Sequence, residues 1–251
     1  MIILKLGGSV ISNKNKPFSF NKKVVSNIAD EIVEFYPERN FIVVHGGGSF
    51  GHPLAKKYGI REGLNSENKK IGFSKTHMAM VELNKKIVEI FIEHNLPAFP
   101  ITPSSIFFVE NGEILEGFFE IIEKYLELKF IPVLFGDVAI AVDKGIDILS
   151  GDQIVSSLSK IFMPEKVIFL MDVDGIYNKN PEKRGAKLIE EIKEPFEFSQ
   201  DAGMYDVTGG IKNKVDQALK MNCTSYFING RKKGYLRKAI IGEKVGTIIK
   251  K

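Results

Sequence analysis

Three glycine-rich turns carry most of the chemistry legible in this chain. Lys5-Leu6-Gly7-Gly8-Ser9 ends a first apolar run. His45-Gly46-Gly47-Gly48-Ser49-Phe50-Gly51-His52 ends a second. Thr208-Gly209-Gly210 opens a helical pattern carrying Lys212 and Lys214. Glycines at a strand end let the backbone approach a ligand closely, and a helix N-terminus beyond them offers free N–H groups and a positive dipole end. One such loop is ordinarily a tight turn. Three in one chain, two with lysines alongside, point to phosphate. Lys5 stands between Leu4 and Leu6, and a lysine inside a buried strand needs an anion to meet. Lys14, beyond the first loop in a polar run with Lys16, on its own reads more often as a solvated charge.

The acidic and imidazole candidates sit at similar junctions. Asp152 follows Ser150-Gly151 at the start of an apolar helical pattern. An N-cap is its plain reading; alternatively Gly151 and the first amides face a phosphate while Asp152 steers nearby lysines. Asp172 and Asp174 flank Val173 ahead of Gly175, which suits a turn, or a nucleotide or Mg²⁺ contact. His52 precedes Pro53. Proline is pre-set for the first turn of a helix, so His52 is expected at a helix start, placed to donate to an anionic substrate.

Two familiar fingerprints nearly fit the second loop. Gly46-x-Gly48-x-x-Gly51 matches the dinucleotide pattern, but the next convincing strand begins only near Pro97, too far for the ~30-residue βαβ unit. Gly46 and Gly51 have the Walker spacing, but His52-Pro53 stands where Lys-Ser/Thr is required. A nicotinamide or flavin enzyme and a P-loop are both disfavoured, and no Ser-His-Asp or paired-carboxylate signature is present.

The elements that must position these residues alternate. Residues 2–6, 41–44, 97–101, 131–135, 166–171 and 225–228 read as strands buried on both faces. Residues 21–35, 72–94, 118–128, 152–162 and 211–221 read as amphipathic helices. Asn111-Gly112 and Asp143-Lys144-Gly145 mark two hairpins. Loops are expected over 177–185 and 194–205. The fold class is α/β, with a mostly parallel sheet covered by helices on both faces.

The chain has 251 residues, 44% of them hydrophobic, and a formal charge of +4. That suits a single compact domain over 1–251. Thirty of the 35 basic residues are lysine; base readout leans on arginine forks, so a nucleic-acid partner is disfavoured. The single cysteine, Cys223, excludes a disulfide scaffold and a cysteine zinc site, and reads as a buried apolar side chain. No apolar run approaches the ~20 residues of a membrane span, and the short run 2–6 lacks the basic leader of a signal peptide. A cytoplasmic protein with no membrane partner is expected.

Lys5-x-Gly7-Gly8-Ser9, His45-Gly46-Gly47-Gly48, Ser150-Gly151-Asp152, Asp172-Val173-Asp174-Gly175 and Asp206-Val207-Thr208-Gly209-Gly210 resemble, in order and spacing, the amino-acid kinase superfamily. Within it, the string 45–53 with His52 is similar to the isopentenyl phosphate kinase branch; fosfomycin kinases carry a similar loop. The resemblance implies an open αβα sandwich, an acceptor-binding lobe over about 1–160, an ATP-binding lobe over about 161–251, and a homodimer. It implies that Lys5, Lys14 and Lys214 neutralise a transferring phosphoryl group, with Asp152 holding the lysines. ATP would meet Lys5, Leu6, Gly7, Gly8, Ser9, Gly48, Asp172, Asp174, Tyr177, Gly210 and Lys214, with Mg²⁺. An acceptor phosphate, that of isopentenyl phosphate in this branch, would meet Gly47, Gly48, His52 and Gly151. The acceptor's tail would lie under the 72–94 helix, near Met78, Ala79, Met80 and Leu83. A fosfomycin kinase, another kinase of the superfamily, and a non-catalytic nucleotide-binding regulator are the alternatives.

Overall fold

The computed structural model describes residues 1–13, 15–193 and 210–251. In chain order the elements are β1 (Ile2–Leu6), α1 (Gly8–Ile11), α2 (Lys22–Val33), β2 (Phe41–His45), α3 (Gly48–Lys57), α4 (Glu67–Glu93), β3 (Ala98–Pro100), β4 (Phe107–Glu110), β5 (Glu113–Gly117), α5 (Glu120–Glu127), β6 (Ile131–Phe135), β7 (Asp137–Ala141), β8 (Gly145–Leu149), α6 (Gly151–Phe162), β9 (Lys166–Met171), β10 (Glu191–Ile192), α7 (Gly210–Leu219), β11 (Thr224–Asn229), α8 (Tyr235–Ile241) and β12 (Thr247–Ile249).

Eight strands form one sheet in the order β10-β12-β11-β9-β1-β2-β6-β3. Every pair is parallel except β11–β12. The apolar runs of β1, β2, β6 and β9 are buried along their whole length, because alternate residues feed opposite cores. Ile2, Leu4 and Leu6 join Phe41, Val43 and Ile168 under α2, α4 and α8. Ile3 joins Ile42, Val44, Val167 and Phe169 against α5, α6 and α7. Helices on both faces of a mostly parallel sheet make the αβα sandwich that the sequence pattern requires.

Register aligns the strand ends. Leu6 lies opposite His45 and Leu170, His45 opposite Phe135, and Ile228 opposite Leu170. The loops that leave β1, β2, β6, β9 and β11 therefore emerge along one carboxyl edge, where open α/β sheets bind ligands. Both expected hairpins form, and together make a second sheet, β5-β4-β7-β8. Cys223 is buried, as expected.

Three expectations need correction. Pro53 does not open a helix: α3 begins at Gly48, so His52 and Pro53 lie within it. The proline lacks the N–H that would bond the Ser49 carbonyl, and the Phe18 N–H takes that carbonyl instead, at 3.3 Å. Helix α4 begins at Glu67 rather than at 72. The short elements β10, β12, α1 and α8 were not anticipated. The 194–205 loop lies outside the described residues.

Candidate functional site

Lys5 is the fourth residue of β1, and its side chain is buried. Its Nζ lies 2.7 Å from Asp152 Oδ1. Lys214, early in α7, places its Nζ 2.8 Å from Asp152 Oδ2. One carboxylate thus bridges two ammonium groups from opposite halves of the chain. Asp152 is not the N-cap of α6. Ser150 is, accepting from the Gln153 N–H while the Gln153 side chain returns to the Ser150 N–H. That capping box leaves Asp152 free for the lysines.

The electrostatics follow from crowding. Burial pushes the Asp152 carboxyl up, but the Lys5 and Lys214 charges and hydrogen bonds outweigh it and hold it well below the usual carboxylate range. Burial lowers the Lys5 ammonium, with Lys214 adding to the effect and Asp152 opposing it. Asp152 is therefore an ionised tether and not a proton acceptor.

The glycine loops meet around this pair. A Cβ on Gly8 would lie 2.6 Å from the Gly48 N, and one on Gly46 would lie 3.2 Å from the Gly8 N. Gly48 has φ +49°, and the Ser12 hydroxyl fills the place of its Cβ. That hydroxyl donates to the Gly8 carbonyl at 2.7 Å and accepts from the Ser49 N–H at 3.0 Å, lacing the first loop to the second. A Cβ on Gly151 would press Lys5 Cε at 2.8 Å. The backbones of the first two glycine loops and of the Ser150-Gly151 turn therefore close around Lys5. Helix starts leave their first amides unpaired. Among the described residues no protein group accepts from the N–H of Gly8, Gly47, Gly48 or Gly151, so an anion would find donors there.

His52 lies against Gly47, its Cδ2 3.2 Å from where a Cβ would be. The sequence placed it beside the glycines correctly, though one turn inside α3 rather than at its start. Of the expected tail residues, Met80 packs its sulfur against Gly47 and Gly51. Met78 faces solvent, while Ala79 and Leu83 are spent in the core.

Further along the carboxyl edge, Asp174 is gripped by Lys232, with Nζ 2.8 Å from Oδ1, and by Asn229 Nδ2 at 2.9 Å. Burial raises the Asp174 carboxyl, and the hydrogen bonds from Lys232 and Asn229 reverse that and lower it. The Tyr177 phenol is raised by burial and then by the Asp174 charge. Asp172 is exposed beside this cluster. Arg231 donates to the Ser9 carbonyl at 2.6 Å, joining the loop after β11 to the first glycine loop. Leu6, Gly7 and Ser9 complete that loop, and Gly210 opens α7. Lys14, Thr208 and Gly209 lie outside the described residues.

Sequence reasoning missed Asn229, Arg231 and Lys232, although Asn229-Gly230 closes an apolar strand with a glycine turn, the same signal that marked the first two loops. It also missed His77, whose Nδ1 is 3.0 Å from the buried Asp137 carboxylate. That hydrogen bond raises the imidazole against the cost of burial.

Residues 1–224 match the Amino acid kinase family. The chain belongs to that family. Among its relatives, an isopentenyl phosphate kinase of Methanocaldococcus jannaschii is 37% identical over 99% of this chain and 98% of its own length. One of Methanothermobacter thermautotrophicus is 35% identical over the same shares. A glutamate 5-kinase of Alkaliphilus metalliredigens is 24% identical over 98% of this chain and 94% of its own. The fold of this amino acid kinase superposes on a solved isopentenyl phosphate kinase with a TM-score of 0.88 at 32% identity, covering 99% of both chains. A UMP kinase from Ureaplasma parvum, at 14% identity and a TM-score of 0.68 over 100% of this chain and 98% of its own, shares the fold alone.

Proposed function

We propose that this protein transfers the γ-phosphoryl group of ATP to isopentenyl phosphate, giving isopentenyl diphosphate and ADP, as a step of isoprenoid biosynthesis by the archaeal-type mevalonate route. The observation that carries the reading is the Lys5–Asp152–Lys214 bridge beside the unpaired amides of Gly8, Gly47, Gly48 and Gly151. The two close relatives bear this activity in their names.

The acceptor is a phosphate monoester with a second pKa of about 6, largely a dianion at neutral pH. One of its oxygens attacks the γ-phosphorus while the bond to the β–γ bridging oxygen breaks, and ADP leaves. The nucleophile is already ionised, so no general base is needed. This agrees with an Asp152 committed to two ammonium groups. The obstacle is repulsion between polyanions, and catalysis is then positioning and charge stabilisation. Lys5, Lys14 and Lys214 neutralise the moving group. Gly8 and Gly48 donate to ATP phosphates along Leu6, Gly7 and Ser9. Asp172, Asp174, Tyr177 and Gly210 border the nucleotide. Gly47, Gly48, Gly151 and His52 hold the acceptor phosphate, His52 selecting phosphate over carboxylate.

Among the described residues no cluster of three His, Cys, Asp or Glu side chains could hold a metal ion. Mg²⁺ is taken as part of the substrate, arriving as Mg·ATP, because this ion usually keeps to phosphates and water rather than all-protein cages. The acceptor lobe is assigned to about 1–160 and the nucleotide lobe to about 161–251. The reading also includes a homodimer. Among the described residues no helix is long and apolar enough to cross a membrane; the enzyme is assigned to the cytoplasm, where ATP is supplied.

A coupled ADP-release assay with Mg·ATP tests the acceptor. Isopentenyl phosphate should give the highest kcat/KM in a panel with fosfomycin, glutamate and UMP. A higher value for any of those, or ATP binding with no turnover, would overturn the reading.

A further inference from the structure

His45 ends β2 immediately before the glycine loop and has no exposed surface. It is not among the groups placed on substrate, yet its surroundings are unusually specific. Its Nδ1 lies 3.2 Å from the Gly46 carbonyl oxygen. Its Nε2 lies 3.2 Å from Asn84 Nδ2, on the buried face of α4. That same amide nitrogen donates to the Val133 carbonyl of β6 at 3.4 Å. The ring stacks on Phe135, with centroids 5.6 Å apart.

The proton count closes in one way. The Val133 and Gly46 carbonyls can only accept. The Asn84 group facing Val133 must therefore be its NH₂, and the second hydrogen of that group points at His45 Nε2, which accepts it. A neutral imidazole has one donor and one acceptor, so the proton is on Nδ1 and points at the Gly46 oxygen. Burial, with the nearby Lys5 charge, pushes the imidazole down to about 3, so the ring is neutral at working pH.

The bonded carbonyl belongs to the peptide that supplies the Gly47 N–H. In a planar trans peptide the C=O and the following N–H point in opposite directions. Holding the Gly46 oxygen therefore aims the Gly47 amide. A loop of three glycines needs such a device, because glycine accepts either sign of φ and a peptide flip there meets little steric resistance.

We propose that His45 is a positioning residue, fixed by Asn84 as the Nδ1–H tautomer, whose bond to the Gly46 carbonyl holds the Gly47 amide toward the acceptor phosphate. This rests on the assignment of Gly47 to that phosphate.

Three variants separate aiming from packing. His45→Phe keeps the ring and its stack on Phe135 but has no donor. His45→Asn restores a donor near the position of Nδ1, and His45→Gln restores one near Nε2. A lost amide–phosphate hydrogen bond costs about tenfold or more in kcat/KM. Phe and Gln should show that loss for isopentenyl phosphate, Asn should stay within about threefold of wild type, and KM for ATP should be unchanged in all three. A packing role predicts the reverse, with Phe best. ¹⁵N NMR of the imidazole in the wild-type chain supplies a second readout needing no variant to fold, and should show Nδ1 protonated. An Nε2–H tautomer, or wild-type kcat/KM in His45→Phe, would overturn the proposal. If wild-type protein turns over no isopentenyl phosphate, the functional reading fails while the tautomer measurement still decides the Asn84–His45 pairing.

Discussion

Asp152 touches no part of the proposed reaction directly, yet the positions of Lys5 and Lys214 both depend on it. In Asp152→Asn two ammonium groups would face a neutral amide and repel each other, one of them from a buried site. We expect kcat to fall about a hundredfold, the scale of losing a preorganised charge contact. The same residue sets an acid limb of stability. Its folded-state pKa is depressed, so its contribution is fully present above the ordinary carboxylate value of 3.8 and is lost as pH falls toward the lower folded value. Thermal melting between pH 5 and about 2 should drop more steeply in wild type than in Asp152→Asn; parallel curves would contradict the assignment. His52 makes a different demand. His52→Ala should lower kcat/KM for isopentenyl phosphate by about tenfold or more while leaving ATP affinity, measured by calorimetry, unchanged. Wild-type kcat/KM would show that His52 does not serve the acceptor.

At the scale of elements, the loops act as one unit because their backbones touch. A methyl group on Gly8 would have to displace the Gly48 N, 2.6 Å away and held by its own helix start. Gly8→Ala should therefore abolish turnover with little loss of secondary structure by circular dichroism. A second contact belongs to the frame. The buried Glu31 of α2 accepts from the Gly234 N–H at 2.9 Å and the Arg237 N–H at 2.7 Å, capping α8 from another element. Glu31→Ala should cost about 1–3 kcal/mol in denaturant unfolding, and a loss below 0.5 kcal/mol would show that water replaces the cap.

These contacts also mark what the sequence could and could not disclose. The bounds of β1, β6 and β9 were legible to the residue, because strands buried on both faces are nearly continuous apolar runs, here followed by glycine or aspartate. Lys5, Asp152 and Lys214 were legible through their glycine settings. The start of α3 was not, since Gly48, Ser49 and Gly51 are poor helix formers and the turn there is imposed by contact with Gly8 and Ser12. The strands β10 and β12 hold two and three residues, too few for a period to register. Asn84 was hidden for another reason: one polar residue on a long amphipathic helix gives no sign of facing inward until β6 and His45 are packed against it.

For the whole molecule, net charge matters less than its placement. The net +4 is the small excess of 35 basic over 31 acidic residues, and the two described lysines of the candidate site are distinguished by sharing Asp152, with Lys5 also buried. Apolar surface is distributed unevenly as well. At the β3 end of the large sheet, Phe99 stacks on Tyr125 with centroids 4.3 Å apart, and Phe130 sets its edge to both. Phe99 is 38% exposed and the nearby Leu128, just past α5, is 70% exposed. The edge strand itself is short and ends in Pro100, which has no N–H to offer another strand, so a second chain would meet side chains here rather than extend the sheet. Aromatic residues flanked by exposed aliphatic ones are the usual anchors of association, and this patch supports the homodimer reading. Sedimentation velocity should show a dimer for wild type and a monomer for Phe99→Lys/Leu128→Lys. Because the patch contributes no residue to the phosphate site, the monomer should keep kcat within about twofold. A double variant that sediments as a dimer moves the interface elsewhere on the surface, and a wild-type monomer removes it.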